Sequence, residues 1–417
     1  MSGEKMVVFG CEESYFFRDG TPFNAGETTF LASRFPPSCE VMQGAIRAAI
    51  LKGHGADFQA YGNGKCSVCN CSIADCQVLQ AVGNPKDKRE KMPLDFYGPF
   101  LVRRRRDAAG YERIYPAPGD LTRRKEENGK PCLGRMVPGD RGVITDQGAL
   151  LLPVMPDGEG SLEGGAWISE PGLLDYLRGN EVDGAEVYFQ DAVMNGQRRL
   201  ENSGFLIKEG RIGIGRDSLT RATEQHMFYT VEHFRFALGF EFGLGERIKG
   251  LPEPKLAEVI KLGGEGRIST LEDVDSESFP GGTEIAKAIN QAPRLFGEYR
   301  FKLVFLTPVC LTSQGFLEGF EEAQRNDAQG QPLKVWRGKL NEIECSLVTM
   351  RAERMERIGG WDLANRRPKA RRCYWPAGSV WYLTSPESGE KLVEALHDQK
   401  FGADQNIGFG HAIIGRW

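Results

Sequence analysis

Histidine is scarce in this chain, with five in 417 residues, and those at 54, 226, 233, 397 and 411 make neither a His-Glu-x-x-His pair nor a recognisable metal triad. Histidine-based hydrolase chemistry therefore has no motif to rest on. No apolar run reaches the ~18 residues a membrane helix requires. The opening MSGEKMVVFGCEES lacks the basic-then-apolar order of a signal peptide, so a cytoplasmic protein without a membrane partner is expected. RIGIGR at 211–216 is neither a Rossmann fingerprint nor a phosphate loop, and no nucleotide cofactor is implied. An excess of positive charge is also missing. Lysine and arginine number 53 against 57 acidic residues, a net charge of -4, which argues against a surface that coats nucleic acid indiscriminately and leaves a local basic groove as the alternative.

What is present describes a large folded chain. Its length exceeds the roughly 250–300 residues at which single cores give way to several, so two domains are expected. Apolar residues at 40% and charged residues at 26% supply both an interior and a wetted surface. The 52 glycines gather in clusters, as loops with positive φ or close backbone approach require.

Periodicity gives an α+β chain. A short apolar strand opens it, and an Asp-Gly turn follows the aromatic pair Phe16 and Phe17. FPPSCEVMQGAIRAAIL reads as a helix capped by Ser38, with Val41, Ala45, Ala48, Ala49 and Ile50 facing the core and Arg47 on its other side. Residues 62–92 read as an insertion or peripheral loop carrying cysteines and the charged PKDKREK. SEPGLLDYLRG predicts a helix capped by Ser169 and stopped by Gly179. Alternation of Phe228, Val231, Phe234, Phe236, Leu238 and Phe240 predicts an antiparallel strand pair. Residues 254–262 suit a strand or short helix and 281–292 a helix. FKLVFLTPVCL, NEIECSLVTM and GSVWYL predict strands, 312–332 a helical or looped insertion, and KLVEALHDQKFG a last helix. Two halves are expected, divided between 200 and 225 or between 262 and 300; the working boundary is 1–215 and 216–417.

Three constellations carry candidate chemistry. In RIGIGRDSLTRATEQHMFY, Gly213 and Gly215 lie among Arg216, Arg221, His226 and Tyr229; such backbone can receive phosphate oxygens while arginine donates in pairs, or the phrase is a glycine-rich strand turn. In ERMERIGGWDLANRRPKARRCYWPAGSV, Trp361 and Tyr374 flank Arg366, Arg367, Lys369, Arg371 and Arg372, a mixture suited to phosphates and stacked bases or to a solvated charge run beside core aromatics. The run Arg103 to Arg106 reads more readily as an ordinary surface loop than as a partner-binding patch. Cys66, Cys69, Cys71 and Cys76 in CSVCNCSIADC supply the donors for a structural Zn2+, with Asp75 or His54 as substitutes; buried or surface thiols and redox chemistry are the other readings. No cofactor is required by any of these motifs. Asp19 and Asp217 lack the local partners that nuclease chemistry needs.

Taken together, ESYFFRDGTPFNAG, FPPSCEVMQGAIRAAIL, RIGIGRDSLTRATEQHMFY, LGGEGR, the IGGW and AGSVWYL phrases and the terminal IGFGHAIIG resemble subunit three of the CRISPR type III-B Cmr effector complex, a repeat-associated mysterious protein (RAMP) family. The Cys cluster and parts of 100–165 fall outside the likeness. The resemblance implies two ferredoxin-like domains related to the RNA-recognition motif, with long Gly-rich loops. It implies a noncatalytic subunit that holds the 5′ repeat-derived tag of CRISPR RNA beside the large signalling subunit and a neighbouring RAMP backbone subunit, in antiviral defence. On that reading Arg18, Arg47, Arg216, Arg221 and the basic run 366–372 are phosphate candidates, and Phe17, Tyr229 and Trp361 are stacking candidates. A guide-processing RAMP endoribonuclease and a purely protein-binding scaffold are the alternatives.

Overall fold

The computed structural model describes the whole chain apart from residues 1–3, 19–29, 70, 72–75, 84–92, 106–109, 124–132, 157–159, 163–164, 192–193, 196–197, 200–201, 217–218, 221, 250–254, 312–318 and 363–366.

The word Met6–Phe9 is too continuously apolar for a strand with one wet face. Strand β1 (Glu4–Cys11) is covered on both: Val7 and Phe9 pack towards helix α1 (Cys39–Gly53), while Met6 and Val8 join a second core shared with the other half of the chain. It lies antiparallel between β8 (Phe242–Lys249) and β10 (Ile268–Ser276). The eight-stranded sheet runs β5 (Val187–Phe189), β4 (Ala166–Ser169), β3 (Tyr111–Pro116), β2 (Asp95–Arg104), β8, β1, β10, β9 (Val259–Lys261). A seven-stranded sheet runs β12 (Glu321–Asn326), β13 (Pro332–Leu340), β14 (Ile343–Arg351), β15 (Val380–Ser385), β11 (Tyr299–Phe305), β17 (His411–Gly415), β16 (Gln399–Lys400). Both sheets are antiparallel throughout.

Helices α4 (Glu170–Arg178), α5 (Gly282–Gln291) and α6 (Gly389–Leu396) put Leu173 and Leu177, Ile285 and Ile289, and Leu392 and Leu396 into the shared core with Phe301, Leu303 and Leu383. Burying each such side chain contributes about 1.5–3 kcal/mol. Helix α4 begins where Ser169 Oγ accepts the Gly172 N–H at 3.1 Å and ends at Gly179 in the left-handed region, as its sequence predicts.

Three ion pairs join the two halves of the chain, those of Arg247 and Lys302 buried and that of Lys400 reaching a partly exposed Asp95. Arg247 on β8 donates to Asp398 at 2.7 and 2.8 Å. Lys302 on β11 lies 4.0 Å from Asp120, which also accepts from Tyr176 at 2.6 Å and Tyr382 at 2.8 Å. Lys400 on β16 donates to Asp95 and to the Phe96 carbonyl at 3.0 Å. Taking two charges out of water costs several kcal/mol per ion, so these contacts tie the halves together only while each pair stays whole.

Position 215/216 lies inside β6 (Leu206–Arg216), which pairs with β7 (Thr223–Phe236), and β8 to β10 return to the first sheet; sheet membership changes between Ser276 and Tyr299, within the 262–300 window considered for the division. Other expectations need correction. The buried face of α1 includes Met42, Ala45, Ile46, Ala49, Ile50 and Leu51, whereas Val41 and Ala48 are half-buried, and Ser38 stands at the cap position without a side-chain cap bond. The 62–92 segment is more than a peripheral loop: Cys66, Cys76, Leu79 and Val82 enter the α1 core. β7 stops at Phe236, leaving Leu238 exposed in a turn, and Glu321–Asn326 is a polar edge strand where a helical or looped insertion was expected.

Candidate nucleic-acid interface

The phrases that share the RAMP likeness are scattered through the sequence, and residues 15–17 with the segment 30–40 bring several of them together. Phe30 and Leu31 pair in parallel with Thr230 and Val231 of β7. Ser33 Oγ accepts the Phe17 N–H at 2.9 Å, and the Arg34 N–H reaches the Phe17 carbonyl at 2.8 Å. Phe35 packs edge-on to Phe234 at 5.0 Å and against Trp167 and Phe205. Tyr15 and Phe234 exchange backbone hydrogen bonds of 2.7 and 2.9 Å. Gly264 of LGGEGR donates to the Phe16 carbonyl at 2.7 Å. Gly263 has φ +82°, and a Cβ there would stand 2.5 Å from the same oxygen, so glycine is required by both conformation and close approach.

The late basic phrase meets this hub from the other half of the chain. Arg34 pairs with Glu356, on a two-stranded ribbon of Glu356–Ile358 and Arg372–Tyr374. Glu40, in the first turn of α1, receives Lys369 at 2.9 Å. A cleft of about 740 Å³ opens between the parts, lined by Arg34 to Cys39, Pro116 to Gly119, Arg351, Glu353, Glu356 and Pro376 to Ser379. The mixture of prolines, backbone and paired charges offers polar edges without an acid/base set.

The predicted site residues sort as follows. Arg18 is exposed and bridges to Ser33. Phe17, 2% exposed, stacks on Tyr15 at 5.4 Å and lies against Phe234, so its ring is core and presents no face to a base. Arg47 turns away from the hub and donates to Tyr61 of the Cys-bearing segment. Tyr229 is half-buried beside Phe16, Leu31 and Val231. Lys369 is engaged by Glu40, Arg372 is exposed and pairs with Asp404 at 2.8 Å, and Arg371 is exposed. Arg221 and Arg366 lie outside the described residues, as do the side chains of Arg216, His226, Trp361 and Arg367. Tyr374 is buried and stacks on Phe409 at 4.6 Å, which removes it as a platform. In the arginine run, Arg103 and Arg104 are paired with Glu112 and Glu272.

The described histidine contacts are structural. His233 is fully buried, between Ser14 Oγ and Glu265 at 3.1 Å each, stacked on Phe16, and burial lowers its pKa. His411 lies 2.8 Å from Asp398, and burial pushes it down to about 4, keeping the ring neutral at pH 7. The Ser14 hydroxyl beside His233 is itself only 2% exposed and so closed to a substrate, and the His411 contact holds no nucleophile. Glu246, fully buried beside Gly98 and Gly408, has both carboxylate oxygens unpartnered among the described residues, and burial raises its pKa well above the carboxylate range. Sequence reasoning did not single out Arg34, Glu40 or Glu356, because their pairings join positions more than 300 residues apart.

A potential metal centre lies apart from the hub. The thiols of Cys66, Cys69 and Cys76 are all within 4.8 Å of one another, Cys66 and Cys76 buried and Cys69 exposed, with half-buried Cys71 adjacent in sequence. The backbone N–H of Cys69, with that of Val68, holds the Cys66 thiol below its ordinary pKa. The described cysteines are all free thiols, and among the described residues no helix is long and apolar enough to cross a membrane.

Residues 12–417 match the model of the family described as CRISPR-associated protein (Cas_Cmr3). Similar solved structures include a chain of a type III-B Cmr-beta complex bound to cognate target RNA, at 14% identity and TM-score 0.42, covering 90% of this chain and 86% of that one. Another is a chain of the Csm3-Csm4 subcomplex of a type III-A CRISPR-Cas interference complex, at 11% identity and TM-score 0.36, covering 92% and 93%. No curated protein matches the sequence.

Proposed function

The chain belongs to the CRISPR-associated Cas_Cmr3 family, and we propose that it captures the 5′ repeat-derived tag of CRISPR RNA and anchors the effector to its large signalling subunit. Its general role is that of a noncatalytic RAMP subunit of a type III CRISPR effector complex. In this reading the two sheets and their helices are two units related to the RNA-recognition motif, and the RNA lies along the hub.

The observation that carries the proposal is the convergence of sequence-distant phrases on residues 30–38. Phe17, Phe234 and the Glu356 ribbon attach there directly, and Gly264 does so through Phe16, which packs on Leu31, while Arg18 at one side and Arg371 beside the ribbon stay exposed. Fixed phosphate contacts set register, and unstacked bases are read by backbone and aromatic groups. Such a defined groove is compatible with a net charge of -4, since the remaining surface is free to meet a neighbouring RAMP backbone subunit and the large subunit.

The test is a reconstituted effector carrying guide RNA with an intact or a scrambled tag and a photoreactive nucleotide in the tag. Crosslinks to this chain that depend on tag sequence support the proposal. Crosslinks that map only to other subunits overturn it. In the same samples the guide keeps its length, because processing endonuclease activity would cut it.

A further inference from the structure

We propose that Cys66, Cys69 and Cys76, completed by Cys71, hold one structural Zn2+ that fastens Phe58–Gly62 and Gln77–Val82 onto helix α1. Nothing in the RNA-binding reading requires this site, and it stands on separate observations. Three thiols already converge within 4.8 Å. Tetrahedral ligation with Zn–S bonds of about 2.3 Å places ligand sulfurs about 3.8 Å apart, so only a small closure is needed.

Cys66 and Cys76 are buried in the core of helix α1 and Cys69 is exposed, so two of the three converging sulfurs are already withdrawn from solvent. The Cys66 N–H donates to the Cys71 carbonyl at 3.2 Å, closing a tight loop around Cys69, and the Cys71 thiol lies beside Cys69, donating to its carbonyl at 3.3 Å. Four cysteines leave no open position for substrate, which makes the site structural rather than catalytic. On binding, each thiol releases its proton to solvent as its sulfur takes the metal.

The mechanical consequence follows from what the cysteines join. Cys66 follows the short helix α2 (Phe58–Gly62), and Cys76 directly precedes α3 (Gln77–Val82), whose Leu79 and Val82 are buried against α1. Opposite the thiols, Arg47 of α1 donates to the Tyr61 hydroxyl, which donates to the Gly83 carbonyl at 3.0 Å. These short helices, of five and six residues, are far below the length at which a helix persists alone. A metal joining their ends supplies the constraint that their own hydrogen bonds cannot.

The experiment uses the full chain, purified reduced and supplied with Zn2+. Metal analysis is expected to give about one zinc per chain, and zinc-edge X-ray absorption a sulfur shell near 2.3 Å. Cys66→Ser and Cys76→Ser should lose most of the metal, whereas Cys373→Ser, at an exposed free cysteine remote in sequence, should keep it. Cys71→Ser should exchange one sulfur of the shell for a lighter atom; an unchanged shell removes Cys71 as the fourth ligand. Because serine variants can fail to fold, the wild-type chain is also treated with chelator and followed by hydrogen exchange. Faster exchange across Gln77–Val82, with β1 still protected, supports the fastening role, and unchanged protection overturns it. A reduced, zinc-supplied chain holding no metal, or zinc content unaffected by Cys66→Ser, overturns the site itself.

Discussion

Asp398 accepts both terminal nitrogens of Arg247, at 2.7 and 2.8 Å, across the junction of the two sheets, and both side chains are almost wholly withdrawn from solvent. Burial opposes ionisation of Asp398, and the contacts from His411 and Arg247 outweigh it, holding the carboxyl below its ordinary range. Replacing Asp398 with Asn leaves a guanidinium buried without its main counter-charge. Urea unfolding should show a loss of about 3–5 kcal/mol. The double variant Arg247→Leu with Asp398→Leu should lose less than the two single changes summed, since the uncompensated charge is gone.

Acid should weaken the fold through its buried histidines, against the opposite effect of Glu246, whose burial raises its carboxyl pKa. His411 has a folded pKa of about 4 against about 6.5 when unfolded, so the unfolded chain binds the extra proton between those values. Its contribution is complete above about pH 6.5 and is lost as the pH falls towards 4. His233 and His397 are also lowered by burial and act with the same sign. Melting temperature measured between pH 7 and 4.5 should fall on acidification, and His411→Gln should flatten that slope.

Gly263→Ala should destabilise by more than about 1 kcal/mol, because alanine resists φ +82° and its Cβ would press on the Phe16 carbonyl oxygen. Gly44→Ala, in α1 with nothing within 4 Å of a new Cβ, is the contrasting change and should be neutral or mildly stabilising. Denaturation midpoints of the two variants check both expectations.

If the tag lies along the hub, Arg371→Ala weakens RNA binding and flattens its salt dependence. Removing one phosphate contact on a single strand lowers the slope of log K against log salt by about 0.7. Arg103→Ala, whose guanidinium is already held by Glu112 at 2.5 Å, should leave the slope unchanged. Titrations of tag RNA at several salt concentrations separate the two.

Local patterns were legible wherever one short segment decides the outcome. Helix α4 announces both ends through Ser169 and Gly179, whereas the alternation read over 228–240 found β7 and misjudged Phe228 and Leu238, which are exposed. Edge strand β12, EEAQRN, carries no buried alternation and so gave no strand signal. Phe17 looked available for stacking because an aromatic pair reads the same on a surface as in a core; Tyr15 and Phe234, one of them more than 200 residues away, decide its burial. The same blindness hid Arg34 with Glu356 and Lys302 with Asp120, for no local period marks a charge whose partner comes from the other sheet.

The three ion pairs across the sheet junction also make the chain a natural candidate for splitting. A cut between Ser276 and Gly282 would send Arg247, Asp120 and Asp95 to one fragment and Asp398, Lys302 and Lys400 to the other. Each piece alone would carry orphan charges and an uncovered apolar face, and each would find in its counterpart the one surface that answers both. Co-expressed fragments should therefore assemble into a folded heterodimer that neither can approach singly, turning an intramolecular junction into a selective intermolecular clasp.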